Sequence, residues 1–299
     1  MDSPGLPLVS IVTPSFNMDG YLPRTIESVL SQDYPNIEYI VADGGSMDRT
    51  LEILKDSCKH YGDRLQYFSE PDKGPSDAVH KGFQRAHGEI FAWLGADDIY
   101  LPGAVRTGVS ALMARPEVDV IYGEGNWIDE HDAVISRYPT LPFNPKDLEW
   151  DCFICQPASF IRATAYRRCG LDPDVNMSFD YDLWIRMAKQ GIRFQMIPEY
   201  LACTRMHRGA LTINQRDTVF QASMGLLRRH YGYVPFPWVF GHTAFRHDSR
   251  DQFFQPVKYS LRNYVASLPA GLRLNPTKRG RFLGDWLAAP FGAIRRRLF

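Results

Sequence analysis

The amino-acid sequence predicts an α/β protein with a doubly wound, mostly parallel sheet. Over the first 125 residues, short apolar runs rich in β-branched side chains alternate with segments of helical periodicity. Hydrophobic residues make up 44 % and charged residues 23 % of the 299-residue chain, as in a folded soluble protein. This composition excludes a disordered chain, a collagen-like repeat and a disulfide-rich miniprotein.

The first elements show the pattern. Residues 8–13 form a continuous apolar run that ends at Pro14, as a buried parallel strand should. In the helix predicted at 21–32, apolar side chains recur at helical spacing. The second strand is predicted at 37–41, and Asp48 is placed to cap the helix after it. The alternation continues with strands at 65–68, 90–94 and 118–122 and helices at 76–86 and 102–113.

The second half of the chain is less regular. Residues 123–160 contain several prolines, which predicts a mixed or antiparallel extension of the sheet. A helix is predicted at 183–189, and strands at 192–197 and 200–205. After Leu211 the chain turns helical and then aromatic. We therefore predict a sheet domain at 1–210, with halves of about 7–125 and 126–210, and a helical extension at 211–299.

Charge and cysteine content narrow the function classes. The 34 basic and 34 acidic residues give zero net charge, which argues against a nucleic-acid partner. The positive charge is concentrated at the end, where residues 271–299 hold seven basic side chains against Asp285 alone. Five cysteines without a disulfide framework, and a start that lacks a signal peptide, predict a cytoplasmic protein.

Small polar or acidic residues follow four consecutive predicted strands. Ser15 follows the first strand, Asp43 the second, Asp72 the third, and the pair Asp97 and Asp98 the fourth. In open parallel sheets, ligands bind beyond the carboxyl ends of the strands. A single acid here could simply cap the next helix, but four strand ends together indicate a ligand site.

The chemistry of these residues favours a nucleoside diphosphate. The first turn, Pro14 to Asn17, lacks the glycines of a dinucleotide-binding turn, and no phosphate-binding loop with Gly-Lys-Ser/Thr is present. Adjacent carboxylates such as Asp97 and Asp98 suit Mg²⁺ or Mn²⁺, which bind together with substrate phosphates. Such a cation would stabilise a departing diphosphate.

Five segments together resemble the inverting family 2 glycosyltransferases of bacterial surface-polysaccharide biosynthesis. The resemblance covers about residues 7–210 and implies the GT-A fold, with a nucleotide-binding half at about 7–125 and an acceptor-side half at about 126–210. The segments that carry it are residues 9–17, 43–50, 70–78, 94–98 and 180–186.

The resemblance implies roles for individual residues. The residues implied to bind the nucleotide and the donor sugar are Pro14, Ser15, Asn17, Asp43, Asp72, Asp77, Lys81 and Asp97. Asp98 is implied to bind Mn²⁺ or Mg²⁺, with His207 as a second contact to the metal or diphosphate. A lone histidine is more often structural, and Arg205 could instead clamp a phosphate.

The resemblance also implies a catalytic base. Asp180 falls at the position of the family's base, but Phe179 stands where the family usually has glutamate. We favour Asp180 over Asp182, because Asp182 begins the predicted helix and could cap it. Arg186, on the same helix, is a further candidate for a residue of the site. The base would take the proton of the acceptor hydroxyl as that oxygen attacks the anomeric carbon, inverting its configuration.

The C-terminal stretch allows two interpretations. Its apolar side chains fall on helical faces beside basic residues, which is typical of an interfacial membrane anchor. The alternative is a helix docked on the body of the protein with solvated arginines. The side chains are Phe282, Leu283, Trp286, Leu287, Phe291, Ile294 and Leu298, flanked by Arg279, Arg281 and Arg295 to Arg297.

The predicted function is metal-dependent, inverting transfer of a sugar from a nucleotide-diphosphate donor, most often a UDP-sugar. The predicted acceptor is a saccharide or lipid-linked saccharide of the cell surface, with peripheral contact to the inner membrane leaflet. The alternatives are a non-catalytic nucleotide-sugar or glycan-binding module on the same fold, and a sugar nucleotidyltransferase. The nucleotidyltransferase would need a glycine-rich, basic loop after the first strand, which Ser15 to Met18 do not supply.

Overall fold

A computed structural model describes residues 5–249 and 260–289. The chain divides into two compact units. Unit 1 comprises the chain up to Phe143 and Phe153–Met206, and unit 2 comprises Asn144–Cys152 and the chain from His207 onward. The predicted apolar and basic positions from Phe291 to Leu298 lie outside the described residues.

Unit 1 is built on one mixed sheet with the strand order β3-β2-β1-β4-β8-β6-β9-β5, in which β7 pairs with β6. The strands are β1 Val9–Ser15, β2 Ile37–Asp43, β3 Leu65–Ser69, β4 Ile90–Trp93, β5 Ile99–Tyr100, β6 Val120–Ile128, β7 Val134–Arg137, β8 Ser159–Arg162 and β9 Phe194–Arg205. The helices of this unit are α1 Leu22–Leu30, α2 Thr50–Tyr61, α3 Pro75–Arg85, α4 Ala104–Met113, α5 Ala163–Cys169 and α6 Phe179–Lys189.

The pairing of the strands confirms the predicted α/β class. β1 is parallel to β2 and β4, and β2 is parallel to β3. The extension is mixed, because β8 is antiparallel to β4 and β6 while β9 is parallel to β6. These strands are continuous apolar runs because helices cover the sheet. For example, α1 buries Leu22, Ile26 and Val29 in the core of unit 1.

The structure differs from the prediction where its strands and helices are short or irregular. The two strands predicted at 192–197 and 200–205 are one strand, β9. Its register against β6 shifts between Met196 and Tyr200, and this irregularity accommodates Pro198, which cannot donate to the ladder. The two-residue strand β5 and the short segment from β8 to α5 were not predicted. Elements of this length are too short for a hydrophobic period to be recognised in the sequence.

Unit 2 is helical in the part that the structure describes. Its helices are α7 Leu211–Asn214, α8 Arg216–Tyr231, α9 Phe236–Asp248, α10 Leu261–Leu274 and α11 Arg279–Ala288. Phe220, Phe236 and Phe282 lie in its hydrophobic core. A short 3₁₀ turn at Asp147–Glu149 also belongs to this unit, and the indole N–H of Trp238 donates to the carbonyl oxygen of Trp150 (2.9 Å).

In α11, part of the predicted apolar face of the C-terminal stretch is buried and part is exposed. Phe282 is fully buried, and the ring of Trp286 stacks on Tyr264 with centroids 4.2 Å apart. Leu283 and Leu287 are exposed. The inward half of this face therefore packs on the body of unit 2. Among the described residues, none of the helices combines the length and apolar character needed to cross a membrane.

The close approach of α4 to β8 gives a test of the fold. A Cβ atom at Gly108 would lie 2.3 Å from the Phe160 ring. Gly108→Ala should therefore lower the free energy of unfolding by about 1–3 kcal/mol, the usual cost of overpacking a core. Gly20→Ala is the control, since Gly20 has open space around it and no left-handed φ. Urea unfolding checks both, and equal midpoints for the two variants would contradict this packing.

Candidate functional site

The sheet register aligns the ends of the first three parallel strands. Ser15 of β1 is paired with Asp43 of β2, and Asp43 with Ser69 of β3. In β4, Trp93 pairs with Val12, so its carboxyl end lies at the same edge. The polar residues predicted at the strand ends therefore share one edge of the sheet.

Asp43 organises the loop that follows β2. Its carboxylate is almost fully buried and accepts hydrogen bonds from the backbone N–H groups of Gly45 and Ser46 (both 3.0 Å) and from the Ser69 hydroxyl (2.6 Å). A further hydrogen bond comes from the Ser46 hydroxyl to Oδ1. Since a carboxylate oxygen has two acceptor positions, Oδ1 keeps capacity for one more donor.

The end of β1 is tied to the same loop. Asn17 has a left-handed φ of 54°, its N–H donates to Ser46 Oγ (2.7 Å), and its Oδ1 accepts from Met47 N–H (2.8 Å). Pro14 and Ser15 precede it as the last two residues of β1. The Ser15 hydroxyl is buried and has no hydrogen-bond partner among the described residues. A buried hydroxyl without a partner at a strand end is a candidate ligand contact.

Asp72 lies directly against the loop after β2. A Cβ atom at Gly44 would be 2.5 Å from Asp72 Oδ2, so the Asp72 carboxylate lies directly against the Gly44 backbone. Asp72 Oδ1 accepts from Gly74 N–H (2.8 Å). Burial, and then the nearby carboxylates of Asp77 and Asp43, raise the pKa of Asp72. The structure therefore brings Asp72 and Asp43 together.

Asp77 and Lys81 fix the loop after β3 to α3. Lys81 Nζ donates to Pro71 O (2.9 Å) and forms ion pairs with Asp77 (3.2 Å) and Glu70 (3.4 Å). Burial alone would raise the pKa of Asp77, but the hydrogen bonds from Lys73 N–H and Lys81 hold it below its usual range. Asp77 and Lys81 therefore both have partners within the protein. Their predicted contact with the nucleotide-sugar donor stays a prediction.

The acidic pair follows β4 in a tight turn. A Cβ atom at Gly95 would lie 2.8 Å from Asp97 Oδ1 and 3.0 Å from Asp98 Oδ2, so the two carboxylates converge on this glycine. The Thr25 hydroxyl reaches the carbonyl oxygens of Ala96 (2.9 Å) and Asp98 (2.8 Å). Asp98 Oδ1 accepts from Arg205 N–H (2.9 Å).

The electrostatics of this pair suit a divalent cation. Asp98 is 8 % exposed, and burial together with the charge of Asp97 raises its pKa well above the ordinary value. Mg²⁺ and Mn²⁺ prefer such hard oxygen ligands, and Mg²⁺ is usually held by one or two carboxylates plus substrate phosphates. Within residues 5–249 and 260–289, no cluster of three or more His, Cys, Asp or Glu side chains forms a metal cage.

Arg205, at the end of β9, anchors this turn. The side chain is 2 % exposed, and its Nε donates to Asp97 O (2.8 Å) while Nη1 donates to Asp129 O (2.9 Å). Nη2 forms an ion pair with Asp132 (2.5 Å). Sequence reasoning proposed Arg205 as a phosphate clamp, whereas the structure shows a buried guanidinium bonded to protein groups around the acidic pair.

α6 brings Asp180 to the same edge of the sheet. The Trp93 ring, at the end of β4, lies 6.2 Å from Phe179 and 5.6 Å from Trp184, which flank Asp180 on α6. Ser178 precedes the helix with a left-handed φ of 55°. Burial raises the pKa of Asp180, although backbone hydrogen bonds at the helix start oppose this shift. Within the described residues, Asp180 forms no ion pair with a cation.

Asp182 has a different environment. Its carboxylate is 2 % exposed and accepts from Arg186 Nε (2.6 Å). Arg186 Nη1 also donates to Cys169 O (2.9 Å), so this ion pair connects α6 to the end of α5. The structure thus separates the two candidate bases, because Asp182 forms an ion pair with Arg186 and Asp180 forms none within the described residues.

His207 lies outside this unit. It is buried and belongs to unit 2, where its carbonyl oxygen accepts from Ala210 N–H (3.0 Å). Its contact with a metal stays a prediction.

Sequence reasoning missed three residues that hold the site. Thr25, Asp132 and Ser69 bond to the acidic turn, to Arg205 and to Asp43 respectively. One signal for Thr25 existed, since it is a polar residue within the apolar face of α1. Asp132 lies in a turn of its own, 73 residues before Arg205 in the sequence, and nothing in its sequence neighbourhood indicates the pairing.

Comparison with known proteins identifies the family. The model for glycosyl transferase family 2 matches residues 10–170, which is more than half of the chain. The chain belongs to glycosyltransferase family 2. It is therefore an enzyme of the glycosyltransferase class, EC 2.4.

Named relatives agree with this assignment. An uncharacterised glycosyltransferase of Rickettsia typhi is 30 % identical over 237 residues, which are 75 % of this chain and 72 % of the relative. The chondroitin synthase of Escherichia coli is 27 % identical over 189 residues, but these cover 62 % of this chain and only 27 % of the synthase.

Solved structures show the same GT-A fold. TarS of Staphylococcus aureus, in complex with UDP-GlcNAc, has a TM-score of 0.62 at 14 % identity and covers 92 % of this chain and 83 % of its own. A Pyrobaculum calidifontis mannosyltransferase, in complex with GDP-Man and Mn²⁺, has a TM-score of 0.61 at 18 % identity. It covers 98 % of this chain and 83 % of its own.

Arg205 and Arg24 both bond Asp132. Comparing variants of the two arginines tests whether Arg205 anchors the turn that holds Asp97 and Asp98. Arg205→Met should lower the free energy of unfolding by about 2–4 kcal/mol, because it leaves the buried carbonyl oxygens of Asp97 and Asp129 without their donor. Arg24→Met is the matched control, since Arg24 also bonds Asp132 but is more than half exposed, and should cost less than about 1 kcal/mol. Chemical unfolding measures both losses, and similar losses would contradict the buried anchor.

Proposed function

We propose that this enzyme transfers a sugar from a nucleoside diphosphate donor, most simply a UDP-sugar, to a saccharide or lipid-linked saccharide of the cell surface. The observation that carries the proposal is the meeting of Ser15, Asp43, Asp72 and the Asp97–Asp98 pair at one edge of the sheet, with Asp180 brought to that edge by α6. Complexes of structural neighbours with UDP-GlcNAc and with GDP-Man and Mn²⁺ support a nucleotide-sugar donor.

In this mechanism the first three strand ends bind the nucleoside. The free acceptor position of Asp43 Oδ1 suits an N–H of the base, and the unpartnered Ser15 hydroxyl can bond the same ligand. Asp72 borders this pocket at Gly44, and Asp97 would accept from a ribose hydroxyl. Asp98, with Asp97 beside it, would hold Mn²⁺ or Mg²⁺, which supplies charge neutralisation for the diphosphate.

Asp180 acts as the general base. It takes the proton of the acceptor hydroxyl while that oxygen bonds to the anomeric carbon from the face opposite the diphosphate. The bond from that carbon to the diphosphate oxygen breaks, the diphosphate leaves with the electron pair, and the configuration inverts. Asp182 is less suited to this step, because its carboxylate is almost fully buried and already accepts a hydrogen bond from Arg186 Nε.

We also propose that the acceptor brings the enzyme to the cytoplasmic face of the inner membrane. The basic stretch at 271–299 and the exposed Leu283 and Leu287 of α11 support peripheral contact with anionic lipids. Membership of a glycosyltransferase family favours sugar transfer over the activity of a sugar nucleotidyltransferase and over a non-catalytic binding module.

Transfer and donor hydrolysis should be measured across UDP-, GDP- and dTDP-sugars with Mn²⁺ or Mg²⁺. One donor should release its nucleoside diphosphate, and chelation or Asp98→Asn should abolish this release. Asp180→Asn should lower kcat by about 10²–10⁴, the usual contribution of a general base. Asp56→Asn, an exposed carboxylate of α2, is the control and should keep full activity. Donor binding without turnover for any acceptor tried would favour a binding module, and absence of donor binding would refute the proposal.

The pH dependence gives an independent test of the base. Burial raises the pKa of Asp180, and only its deprotonated form can accept a proton, so activity should fall as the pH drops through that raised pKa. The acid limb of kcat/KM, measured at saturating metal, should therefore lie above the ordinary aspartate value of about 3.9. The residual activity of Asp180→Asn should lack this limb. A limb that persists in that variant would assign the base to another group.

A further inference from the structure

In unit 2, α10 and α11 pack against each other as an antiparallel pair. The ring of Tyr264, near the start of α10, stacks on Trp286, near the end of α11, with centroids 4.2 Å apart. The Trp286 indole N–H also donates to Tyr264 O (3.0 Å). Further along α10, Gly271 lies so close to the ring of Phe282, near the start of α11, that a Cβ atom there would overlap it. Early residues of one helix therefore meet late residues of the other.

α10 carries an apolar stripe on the side that faces away from α9. Leu261 is 76 % and Val265 53 % exposed, and Leu272, two turns further on, is half-buried. Asn263 contacts α9, since its Oδ1 lies 2.9 Å from His247 Nδ1. Because Asn263 comes two residues after Leu261, it lies about 200° around the helix from it. The stripe therefore lies opposite the contact with α9.

α11 continues this apolar surface. Leu283 is 41 % and Leu287 54 % exposed. Val265 is the residue after Tyr264, and Leu287 is the residue after its partner, Trp286. One residue turns a right-handed helix by about 100°, and because the two helices run in opposite directions, both rotations lead to the same side of the pair. The exposed side chains thus share one surface, the α10–α11 face, which comprises Leu261, Val265, Leu272, Leu283 and Leu287.

Basic residues border the α10–α11 face. Arg262 and Arg273 each come directly after a leucine of the face, Arg279 lies one turn before another, and all three are exposed. Within residues 5–249 and 260–289, these three arginines form no ion pair with a carboxylate. The only acidic residue between positions 260 and 289 is Asp285, and its carboxylate accepts a hydrogen bond from the Tyr233 hydroxyl. The border of the face is therefore cationic.

A simpler explanation is that single exposed leucines are ordinary on protein surfaces. That explanation accounts for each side chain alone, but not for their alignment across two helices with unpaired arginines around them. An apolar patch with a cationic border matches a bilayer of anionic lipids, in which phosphates lie above acyl chains. A two-fold contact with a second copy would instead bring the same arginines near one another.

We propose that the α10–α11 face lies on an anionic lipid bilayer, with its aliphatic side chains among the acyl chains and the bordering arginines at the lipid phosphates. Arginine side chains reach such phosphates while their apolar stems stay beside the leucines. The inference rests on the proposed function, because it specifies the surface that makes the peripheral contact and adds α10 to it. Vesicle binding is measured without donor or acceptor, so a failure of sugar transfer would not affect the result.

The test uses the full chain and sedimentation with phosphatidylglycerol vesicles. The wild type should bind saturably, and the double variant Leu261→Gln, Val265→Gln should bind at least 10-fold more weakly, because two aliphatic side chains no longer enter the bilayer. Glutamine retains helix propensity, and thermal melting checks the fold. The matched control is Val134→Gln, Ile135→Gln, since these two side chains of β7 in unit 1 are 63 % and 45 % exposed. Its affinity should stay within 2-fold of the wild type.

Two further arms test the extent and the charge of the face. The double variant Leu283→Gln, Leu287→Gln should also bind at least 10-fold more weakly than the wild type. The double variant Arg262→Gln, Arg279→Gln should do the same, since each basic residue near an anionic surface strengthens binding. Phosphatidylcholine vesicles should bind the wild type at least 10-fold more weakly than phosphatidylglycerol vesicles.

Several outcomes would overturn this inference. Equal losses in the α10 variant and in the β7 control would indicate unspecific adsorption. Loss in the α11 variant alone would remove α10 from the contact and leave the proposed peripheral contact intact. Equal affinity for both lipids would refute the cationic border. A dimer of the wild type in analytical ultracentrifugation that the α10 variant abolishes would assign the face to a second copy of the chain.

Discussion

Two adjacent carboxylates that repel each other must be held together at a buried turn, and the end of β9 does this. Arg205 contributes its backbone N–H to Asp98 and its guanidinium to the carbonyl oxygen of Asp97. Its ion pair with Asp132 adds a second fixed point. Because the residue is buried, these bonds act in a low-dielectric environment and are strong. The acidic pair that defines the site therefore depends on a residue more than 100 positions away in the sequence.

Two glycines allow carboxylates of the site to lie close to the backbone. Gly44 lets Asp72 approach the loop after β2, and Gly95 lets the two carboxylates of the acidic turn converge. A Cβ atom at either position would force the neighbouring carboxylates to shift, and neither glycine needs an unusual φ. Their role is close approach, which brings groups with negative charge nearer than they would settle by themselves. Such an arrangement is stable only with compensating donors or a bound cation.

The sequence predicted the sheet edge well, because parallel strands with long apolar runs place their carboxyl ends together whatever the loops do. The alignment of Ser15 with Asp43 follows from that rule alone. The contacts of Arg205 could not be predicted, since they join turns far apart in the chain and depend on the mixed order of β6, β9 and β5. The interpretation of Arg205 as a phosphate clamp was reasonable chemistry, but a guanidinium suits a buried carbonyl and carboxylate equally well.

The choice between Asp180 and Asp182 shows how one helix turn can create two different carboxylates. Both lie in the first turn of α6, where the helix dipole favours negative charge. Asp182 also has Arg186 one turn later, and the two side chains form an ion pair. Asp180 has backbone hydrogen bonds and burial, and burial dominates. A base is useful when protonation lies within reach of the working pH, so the carboxylate without a cation is the one suited to accept a proton.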